Sequence, residues 1–429
     1  MTLSSGVERG RAARKRSLAS RVVKVKASCG VEAWLIEEHA RPVVAMSFNF
    51  KGGEYLDPAG KAGATRLMAS LLSEGTLSLP GDAFRTELAK SAIQFNVSTF
   101  PDALAGSLLM LQRQAALGAE LLDLALVSTE LSEGAIARGI GMLASQFMAG
   151  RQNPANIARD ALIMRAYQGH PFGMEQEQAF AELQTVTRAH LLTAQANAMT
   201  RANLRIGVAG AITEAQLSTV VDCAFGRLPE GASVNIEPRS LSGAGEMVTR
   251  QMPSPQTALV FGGQSIPLND TDASAAAVAL HVFGGGFSSR LMSELREKRG
   301  LCYSVVVRSL HASGIDIWTG ELLTPNERVS EAITAIKHEV ERLLEKGISD
   351  AEIAASKAYI IGSSKMQPQA SNILARTLLD LQINGRGPEW LDERYEKLAA
   401  VTPGDVARVI PRLFSDGRLL FASAGAAAA

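Results

Sequence analysis

Alternation of apolar and polar residues near the start of the chain predicts β-strands. Residues 31–50 contain two such runs, which a turn at residues 39–42 separates. The second run places four apolar side chains on one face of a strand: Val44, Met46, Phe48 and Phe50. The alternation predicts a half-buried strand that follows a first strand closely.

Apolar residues at helical spacing predict a helix after the glycine-containing segment 52–63. Its apolar face comprises Leu67, Met68, Leu71 and Leu72, and Gly75 is expected to end it. Further helices are predicted at 82–93, 115–150 with a break, 154–167 and 187–199, and a strand at 203–209 closes the first half.

The segment 227–246 is rich in proline, glycine and serine, which is typical of a linker. After it the order of elements repeats. The second half is predicted to contain strands at 257–266 and 300–309 and helices at 270–284, 325–346 and 349–363. We therefore expect strands mixed with helices on both sides of one linker.

An internal match supports a duplicated domain. A helix that begins at Thr187 leads to a strand that ends at Gly210, and the same pattern runs from Thr402 to Gly425. Both intervals span 23 residues, and the two copies are offset by 215 residues. A chance match of a common helix–strand pattern is the alternative. The predicted organisation is a basic, disordered arm (1–21), an N-terminal domain (22–232), a linker (233–246) and a C-terminal domain (247–429).

Charge excludes several classes of function. The chain has 43 basic and 43 acidic residues, so no general attraction to nucleic acid or to membranes is expected. Its three cysteines are far apart and form neither a zinc-type pair nor a disulfide framework. Residues 1–21 are basic without an apolar signal core, so we expect a bacterial cytoplasmic protein, with periplasmic export from a longer precursor or an organellar transit peptide as alternatives.

The familiar catalytic motifs are missing from the sequence. No two of the six histidines lie within five residues of each other, so HExxH and HxxEH are both absent. A GxSxG elbow is also absent, and no GK[ST] follows the glycines at 284–286. The sequence alone therefore excludes a self-contained helical zinc site.

The segment 284–305, GGGFSSRLMSELREKRGLCYSV, combines a glycine turn, a serine-capped helix, a stop at Gly300 and a strand. Tyr303 is expected to enter that strand, alternating with Cys302 and Ser304. By residue type alone, a surface ion pair for Arg296 and a half-buried strand position for Tyr303 are favoured.

This segment resembles the C-terminal signature of the M16 family of zinc peptidases, which includes pitrilysin, insulinase and the mitochondrial processing peptidase. Tyr167 followed by GHPFG at 169–173 resembles the Tyr-x-x-His-Pro-x-Gly segment of that family. The resemblance extends from about residue 22 to the end of the chain. It implies two homologous α+β domains of the LuxS/MPP-like metallohydrolase fold, each a mixed, largely antiparallel sheet packed with helices. Together they would form half of a clamshell.

The family's metal motif, HxxEH, is degenerate here. Residues 63–76 match its helix, and they place Arg66 and Ser70 at the two histidines and Ala69 at the general base. The third ligand falls near Gln146, and residues 134–159 contain no acid. An arginine cannot lose its charge to bind a metal. The resemblance therefore implies no metal in this chain.

Arg296 and Tyr303 match an arginine and a tyrosine that, in the family, reach toward the zinc of the opposing half. The resemblance implies that this chain is the zinc-free subunit of a heterodimeric metalloendopeptidase that cleaves unfolded peptides. Its partner would be a homologous chain with an intact HxxEH motif and the zinc, and the peptide would lie along a sheet edge of that partner. The alternatives are a silent scaffold like the core proteins of respiratory complexes, and a peptide-binding homodimer without catalysis.

Overall fold

The computed structural model describes residues 17–312, 314–366, 370–414 and 417–426. Two β-sheets organise this part of the chain, one in each half. The first sheet has the order β1-β2-β6-β3-β5-β4, and all its pairs are antiparallel except β2 with β6. Its strands are β1 (Val22–Lys26), β2 (Glu32–Glu37), β3 (Val43–Lys51), β4 (Gln94–Phe100), β5 (Ala103–Leu111) and β6 (Leu204–Gly210).

The second sheet repeats this plan with one strand fewer. Its order is β7-β11-β8-β10-β9, and only β7 and β11 are parallel. Its strands are β7 (Met247–Gln251), β8 (Gln256–Gln264), β9 (Val305–Ala312), β10 (Ile315–Pro325) and β11 (Leu420–Gly425). Each sheet thus has its last strand in the interior, parallel to an early strand.

Helices cover both sheets. In the first half they are α1 (Ala64–Leu71), α2 (Asp82–Lys90), α3 (Ala115–Val127), α4 (Glu133–Gly150), α5 (Pro154–Ala166), α6 (Gln176–Leu183), α7 (Arg188–Ala198) and α8 (Glu214–Phe225). In the second half they are α9 (Ala273–Gly284), α10 (Val329–Lys346), α11 (Asp350–Lys365), α12 (Ser371–Ile383), α13 (Trp390–Ala400) and α14 (Pro403–Phe414). A π-helical turn, Met292–Lys298, lies between α9 and β9.

Each sheet buries one face against helices of its own half. Phe48 and Phe50 of β3 pack edge-on against each other and against Phe225 of α8 in the first core. Trp318 of β10 lies in the second core, where its indole N–H donates to the carbonyl of Leu413 at 2.8 Å. The two cores are built from separate sets of residues, as the repeated plan requires.

The other face of each sheet is covered by a helix from the opposite half. Helix α12 packs on β2, β3 and β6, and helix α5 packs on β8 and β11. Gly207 in β6 permits the first of these contacts, because a Cβ atom there would lie 2.2 Å from the carbonyl oxygen of Ala375. This exchange of helices joins the two halves through apolar contacts as well as through the linker.

The predicted fold class, α+β with mixed and largely antiparallel sheets, is confirmed. The division into domains at 232 and 247 stays a prediction, and residues 1–16 of the predicted arm lie outside the described residues. The end of that arm differs from expectation, because residues 19–21 form a 3₁₀ turn and Arg21 pairs with Glu38 at 2.8 Å. No helix of the described residues is long and apolar enough to cross a bilayer.

The strand predicted at 300–309 is wrong at its start. Strand β9 begins at Val305, so Tyr303 lies in the loop before it and does not alternate with Cys302 and Ser304 in a strand. The stretch 292–298, predicted as an α-helix, is π-helical. Both differences fall in one segment, where wider helical turns and an irregular connection replace regular structure.

Candidate functional site

Arg66, at the position of the first metal-binding histidine in the family pattern, is held in an ion pair with Glu54. Its Nε donates to Glu54 Oε1 at 2.9 Å, and its Nη2 donates to Oε2 at 2.8 Å. The Glu54 side chain is 14% exposed and that of Arg66 is 45% exposed. Such a two-point contact matches the planar fork of a guanidinium to a carboxylate. The carboxylate nearest to the position of the first ligand is therefore engaged by a fixed cation.

Two further carboxylates surround this ion pair. Asp57 accepts hydrogen bonds from the backbone N–H groups of Gly63 and Thr65, both at 2.7 Å, and so stabilises the start of α1. Burial raises the pKa of Asp57 to about 6 despite these hydrogen bonds. Burial also raises the pKa of Asp160, against the opposing effect of Arg159 and Arg66.

The charge of Arg66 persists in this setting. Burial opposes that charge, but Glu54 and Asp57 outweigh burial and raise the pKa of Arg66. Arg66 thus stays cationic where the family pattern has a neutral histidine.

The remaining positions of the degenerate metal motif offer no replacement ligand. Ala69 is buried, and the Ser70 hydroxyl donates to the carbonyl of Leu67 at 2.7 Å within its own helix. Gln146 lies on α4 and faces the same cavity as Arg66. No group of three His, Cys, Asp or Glu side chains that could hold a metal ion occurs among the described residues. The residues present do not fit a zinc ion.

A cavity of about 680 Å³ opens beside these positions. Helices α1, α4, α5 and α6 form its walls in the first half, and the end of β7 closes it from the second half. Its volume lies within the range of about 300–1,000 Å³ that is usual for ligand sites. Arg66 and Gln146 both line this space, so the degenerate metal motif borders a cavity instead of a packed core.

Arg296 and Tyr303 are brought together elsewhere in the second half. The guanidinium carbon of Arg296 lies 5.1 Å from the centroid of the Tyr303 ring, which is a cation–π contact. Tyr303 is 84% exposed. In the part of the chain that the structure describes, the Arg296 side chain makes no hydrogen bond or ion pair, although its carbonyl accepts from the Gly300 amide at 3.1 Å. Neither residue lines the cavity beside Arg66.

Buried leucines and one glycine position this pair. Leu291, Leu295 and Leu301 are fully buried, and they fix the π-helical turn and the loop after it to the second core. Gly300 reverses the chain with a φ of +59°, and the Leu301 amide donates to the carbonyl of Leu295 at 2.7 Å. These anchors turn Arg296 and Tyr303 outward together. Single π-helical turns of this kind are frequent at functional sites.

Cys302, Tyr167 and His170 lie near these motifs, and their surroundings indicate structural roles. Burial raises the pKa of Cys302 to about 11, with Arg296 opposing the rise, so the thiol stays protonated near neutral pH and is a poor nucleophile. Tyr167 and His170, from the segment that resembles the family's Tyr-x-x-His pattern, are both buried. The His170 ring lies between those of Tyr55 and Phe172, at centroid distances of 5.8 and 5.9 Å.

Sequence reasoning missed Glu54, the partner of Arg66, and Arg250, which lines the cavity from β7. Glu54 follows the glycines at 52 and 53, twelve positions before Arg66. A lone acid next to a glycine pair was the available signal. Nothing in the sequence near Arg250 indicates that it faces residues from α4 and α6.

Comparison with known proteins agrees with this geometry. Residues 185–360 match the family described as "Peptidase M16 inactive domain". The chain is similar to M16 peptidases and to a non-peptidase homologue of them. A relative in Helicobacter pylori, "Non-peptidase homolog YmxG", is 24% identical over 333 residues, which cover 77% of each chain. An "Uncharacterized zinc protease" of Rickettsia felis is 21% identical over 318 residues, or 74% of this chain and 76% of the relative.

A solved structure shows the same fold. The peptidase M16 inactive domain from Pseudomonas fluorescens superposes on this chain with a TM-score of 0.87 and 21% sequence identity. The match covers 94% of this chain and 98% of the other. The two sheets and their exchanged helices therefore have the fold of that domain.

Proposed function

We propose that this chain is the metal-free subunit of a two-chain M16 peptidase. It would assemble with a homologous chain that carries an intact HxxEH motif and its zinc, and the pair would cleave unfolded peptides. The observation that carries the proposal is the Arg66–Glu54 ion pair, since it puts a fixed cation at the place where the resemblance expects the first metal ligand. The half-buried Arg296 and the exposed Tyr303 then offer this chain a role at the partner's metal.

Tyr303 would stabilise negative charge on the substrate. Its hydroxyl can donate a hydrogen bond to the scissile carbonyl as that oxygen becomes an oxyanion. With 84% of the residue exposed, the phenol can reach a group held by another chain. The partner's zinc, when bound, supplies the activated water for attack on the peptide bond. Donors placed in this way typically lower a barrier by about 3–4 kcal/mol.

Arg296 would hold the peptide in register with that hydroxyl. Its guanidinium has five donors, and no described acidic side chain occupies them. Stacking over the Tyr303 ring at 5.1 Å limits the positions that both side chains adopt. The pair can therefore contact two successive acceptors on one substrate, such as adjacent peptide carbonyls or a carboxylate.

A catalytically silent subunit is the second candidate. The Helicobacter pylori relative, over 77% of both chains, is named a non-peptidase homologue. Under this alternative the chain serves as a core-protein-like scaffold or holds peptides without cleavage, and the Arg296–Tyr303 pair has no catalytic role.

Reconstitution distinguishes the two candidates. The purified chain alone is expected to show no peptide cleavage and less than stoichiometric zinc by atomic absorption. After mixing with a zinc-containing M16 chain from the same organism, native mass spectrometry should detect a heterodimer, and cleavage of an unfolded reporter peptide should appear. A heterodimer that cleaves no faster than the zinc chain alone would favour the silent subunit.

A further inference from the structure

The two sheets of this protein differ by one strand, and the difference falls beside the cavity. In the first sheet β2 lies between its parallel neighbour β6 and the antiparallel edge strand β1. In the second sheet β7 has the corresponding parallel neighbour, β11, but no described strand lies on its other side. The position that β1 fills in the first sheet is thus open in the second.

We infer that this open edge of β7 binds an extended peptide segment as an additional strand, antiparallel to β7, with side chains entering the adjacent cavity. The inference rests on the proposed function for the identity of the ligand, an unfolded polypeptide. It adds a peptide-holding site on this subunit, distinct from the residues that would face the partner's metal.

The hydrogen-bonding pattern of β7 shows which groups are available. The carbonyl of Glu246 accepts from the Phe421 amide, and the Met252 amide donates to the Gly425 carbonyl, both at 2.9 Å. In a parallel ladder alternate residues bond to the same neighbour. Met247, Thr249 and Gln251 alternate with the residues that bond to β11, and they therefore direct their N–H and C=O groups outward. Such an edge is a template for another strand.

The cavity meets β7 at this edge. Arg250 and Gln251 at the end of β7 line it together with Met252, the next residue, although side chains of consecutive residues in an extended chain point to opposite faces. Three consecutive lining residues are expected where a cavity contacts a strand along its edge. A peptide that added here would therefore run along the cavity, with alternate side chains directed into it.

The lining favours a peptide of mixed character. Phe147 and Phe180 stack at a centroid distance of 4.4 Å and, with Met164, provide an apolar wall. Arginines and acids are equal in number around the cavity, so a strongly charged polymer gains little there. A backbone with regularly spaced donors and acceptors, and bulky apolar side chains at alternate positions, satisfies both the edge and the wall.

Arg250 is the cation that is free for such a ligand. The other lining arginines are paired: Arg66 with Glu54, Arg151 with Glu177 and Arg159 with Glu321. Arg250 is exposed, and its side chain makes no ion pair or hydrogen bond within the described ranges, while its backbone pairs with β11. It can therefore contact a carbonyl or carboxylate of a bound segment at no cost to an existing ion pair.

Proline at Thr249 tests the inference on the full, isolated chain. Thr249→Pro removes one outward N–H and blocks that point of the edge, while the ladder to β11 uses the neighbouring residues. Thr249→Val is the matched control, because both variants lose the 3.4 Å contact between Thr249 and the Ser423 hydroxyl, but only proline changes the backbone. The probe is a fluorescein-labelled, unstructured peptide with phenylalanine at alternate positions, followed by anisotropy.

We expect the wild-type chain and Thr249→Val to bind the probe equally, and Thr249→Pro to bind it about tenfold or more weakly. Hydrogen exchange of the wild-type chain should show that the probe protects the amides of Thr249 and Gln251, which checks the site without a variant. Absence of binding by the wild-type chain, equal binding by Thr249→Pro, or binding without protection of these amides would overturn the inference.

These outcomes are separate from those of the proposed function, because the binding assay contains neither partner nor zinc. A pair that cleaves peptides although its isolated metal-free subunit binds none refutes only the site on β7. Proline-sensitive binding in a chain that never supports cleavage refutes the proposed catalysis and retains this site.

Discussion

The Arg66 guanidinium and the Glu54 carboxylate form a two-point ion pair, with N–O distances of 2.9 and 2.8 Å, at the place where the M16 pattern has its first zinc ligand. Because the Glu54 side chain is only 14% exposed, its charge depends on this cation more than the charge of a surface carboxylate does. The positive charge at this position thus belongs to a side chain of the protein and not to a bound ion. Where the resemblance expects the first zinc ligand, this chain has a cation held by Glu54.

Loss of Arg66 should therefore destabilise the fold. Arg66→Met leaves Glu54 partly buried without its cation, and we expect a decrease of about 1–2 kcal/mol in the free energy of unfolding, limited by the solvent that reaches Arg66. Arg66→Met combined with Glu54→Gln should recover part of that loss. Urea unfolding of both single variants and the double variant gives the coupling energy. Additive effects would mean that the ion pair contributes nothing to stability.

Asp57 should give the stability of the protein a distinctive dependence on pH. Burial raises its pKa from 3.8 to about 6, so the folded state binds a proton more tightly than the unfolded state does. Stability contributed by this group is then greatest at low pH and decreases as the pH rises from about 4 to about 6. Above that window its contribution is constant.

Asp57→Asn removes this titration. The difference in free energy of unfolding between the variant and the wild-type protein should change in favour of the variant between pH 4 and pH 6 and then level off. Urea midpoints measured across this range check the slope. A difference that is constant with pH would show that Asp57 titrates normally in the folded protein.

The structure also shows what the sequence could and could not predict. Alternation identified β3, and helical spacing identified α1, because both depend on neighbouring residues; the helix ends at Leu71, however, and not at Gly75 as predicted. The pairing of Arg66 with Glu54 depends on a turn and a 3₁₀ segment between them, and no periodicity reports that. The exchange of α5 and α12 between the halves is a contact of distant segments, so local patterns could not show it.

The candidate site, too, was predicted from the sequence only in part. Arg296 and Tyr303 were singled out because their spacing matches a family signature, but their local structure was predicted incorrectly. Regular helix and strand were expected, whereas a π-helical turn and a loop that begins at a left-handed glycine are present. The irregular geometry follows from how Leu295 and Leu301 enter the second core, which is a tertiary effect.

Arg290 should act as a positioning residue for this segment. Its Nε and Nη2 donate to the two Glu352 oxygens at 2.7 and 2.9 Å, and Nη2 also donates to the carbonyl of Gly347 at 3.0 Å. Lysine cannot reproduce this fork. Arg290→Lys is expected to cost about 2 kcal/mol of stability and to raise hydrogen exchange across residues 292–303.

Arg299→Lys is a suitable control for that experiment, since Arg299 contacts Glu294 on a more exposed part of the same segment. It should change the free energy of unfolding by less than about 0.5 kcal/mol. Equal effects of the two substitutions, measured by thermal unfolding and hydrogen exchange, would show that Arg290 has no special role in holding the segment.

Arg296→Lys should separate charge from geometry in the assembled pair. Lysine keeps the positive charge but contacts acceptors as a single point, so a loss of binding for the extended substrate is expected, with KM raised several-fold. Assembly of the heterodimer, followed by native mass spectrometry, should be unchanged. Wild-type KM in this variant would argue that the guanidinium does not hold the substrate.

The most direct test of the account is the cleavage rate of the heterodimer that contains Tyr303→Phe. The substitution removes one hydroxyl from a residue that is 84% exposed, so folding and assembly should be preserved. We expect kcat to fall by about 10²–10³-fold while zinc content and heterodimer formation stay at wild-type levels. A variant pair that cleaves the reporter peptide at the wild-type rate would contradict it.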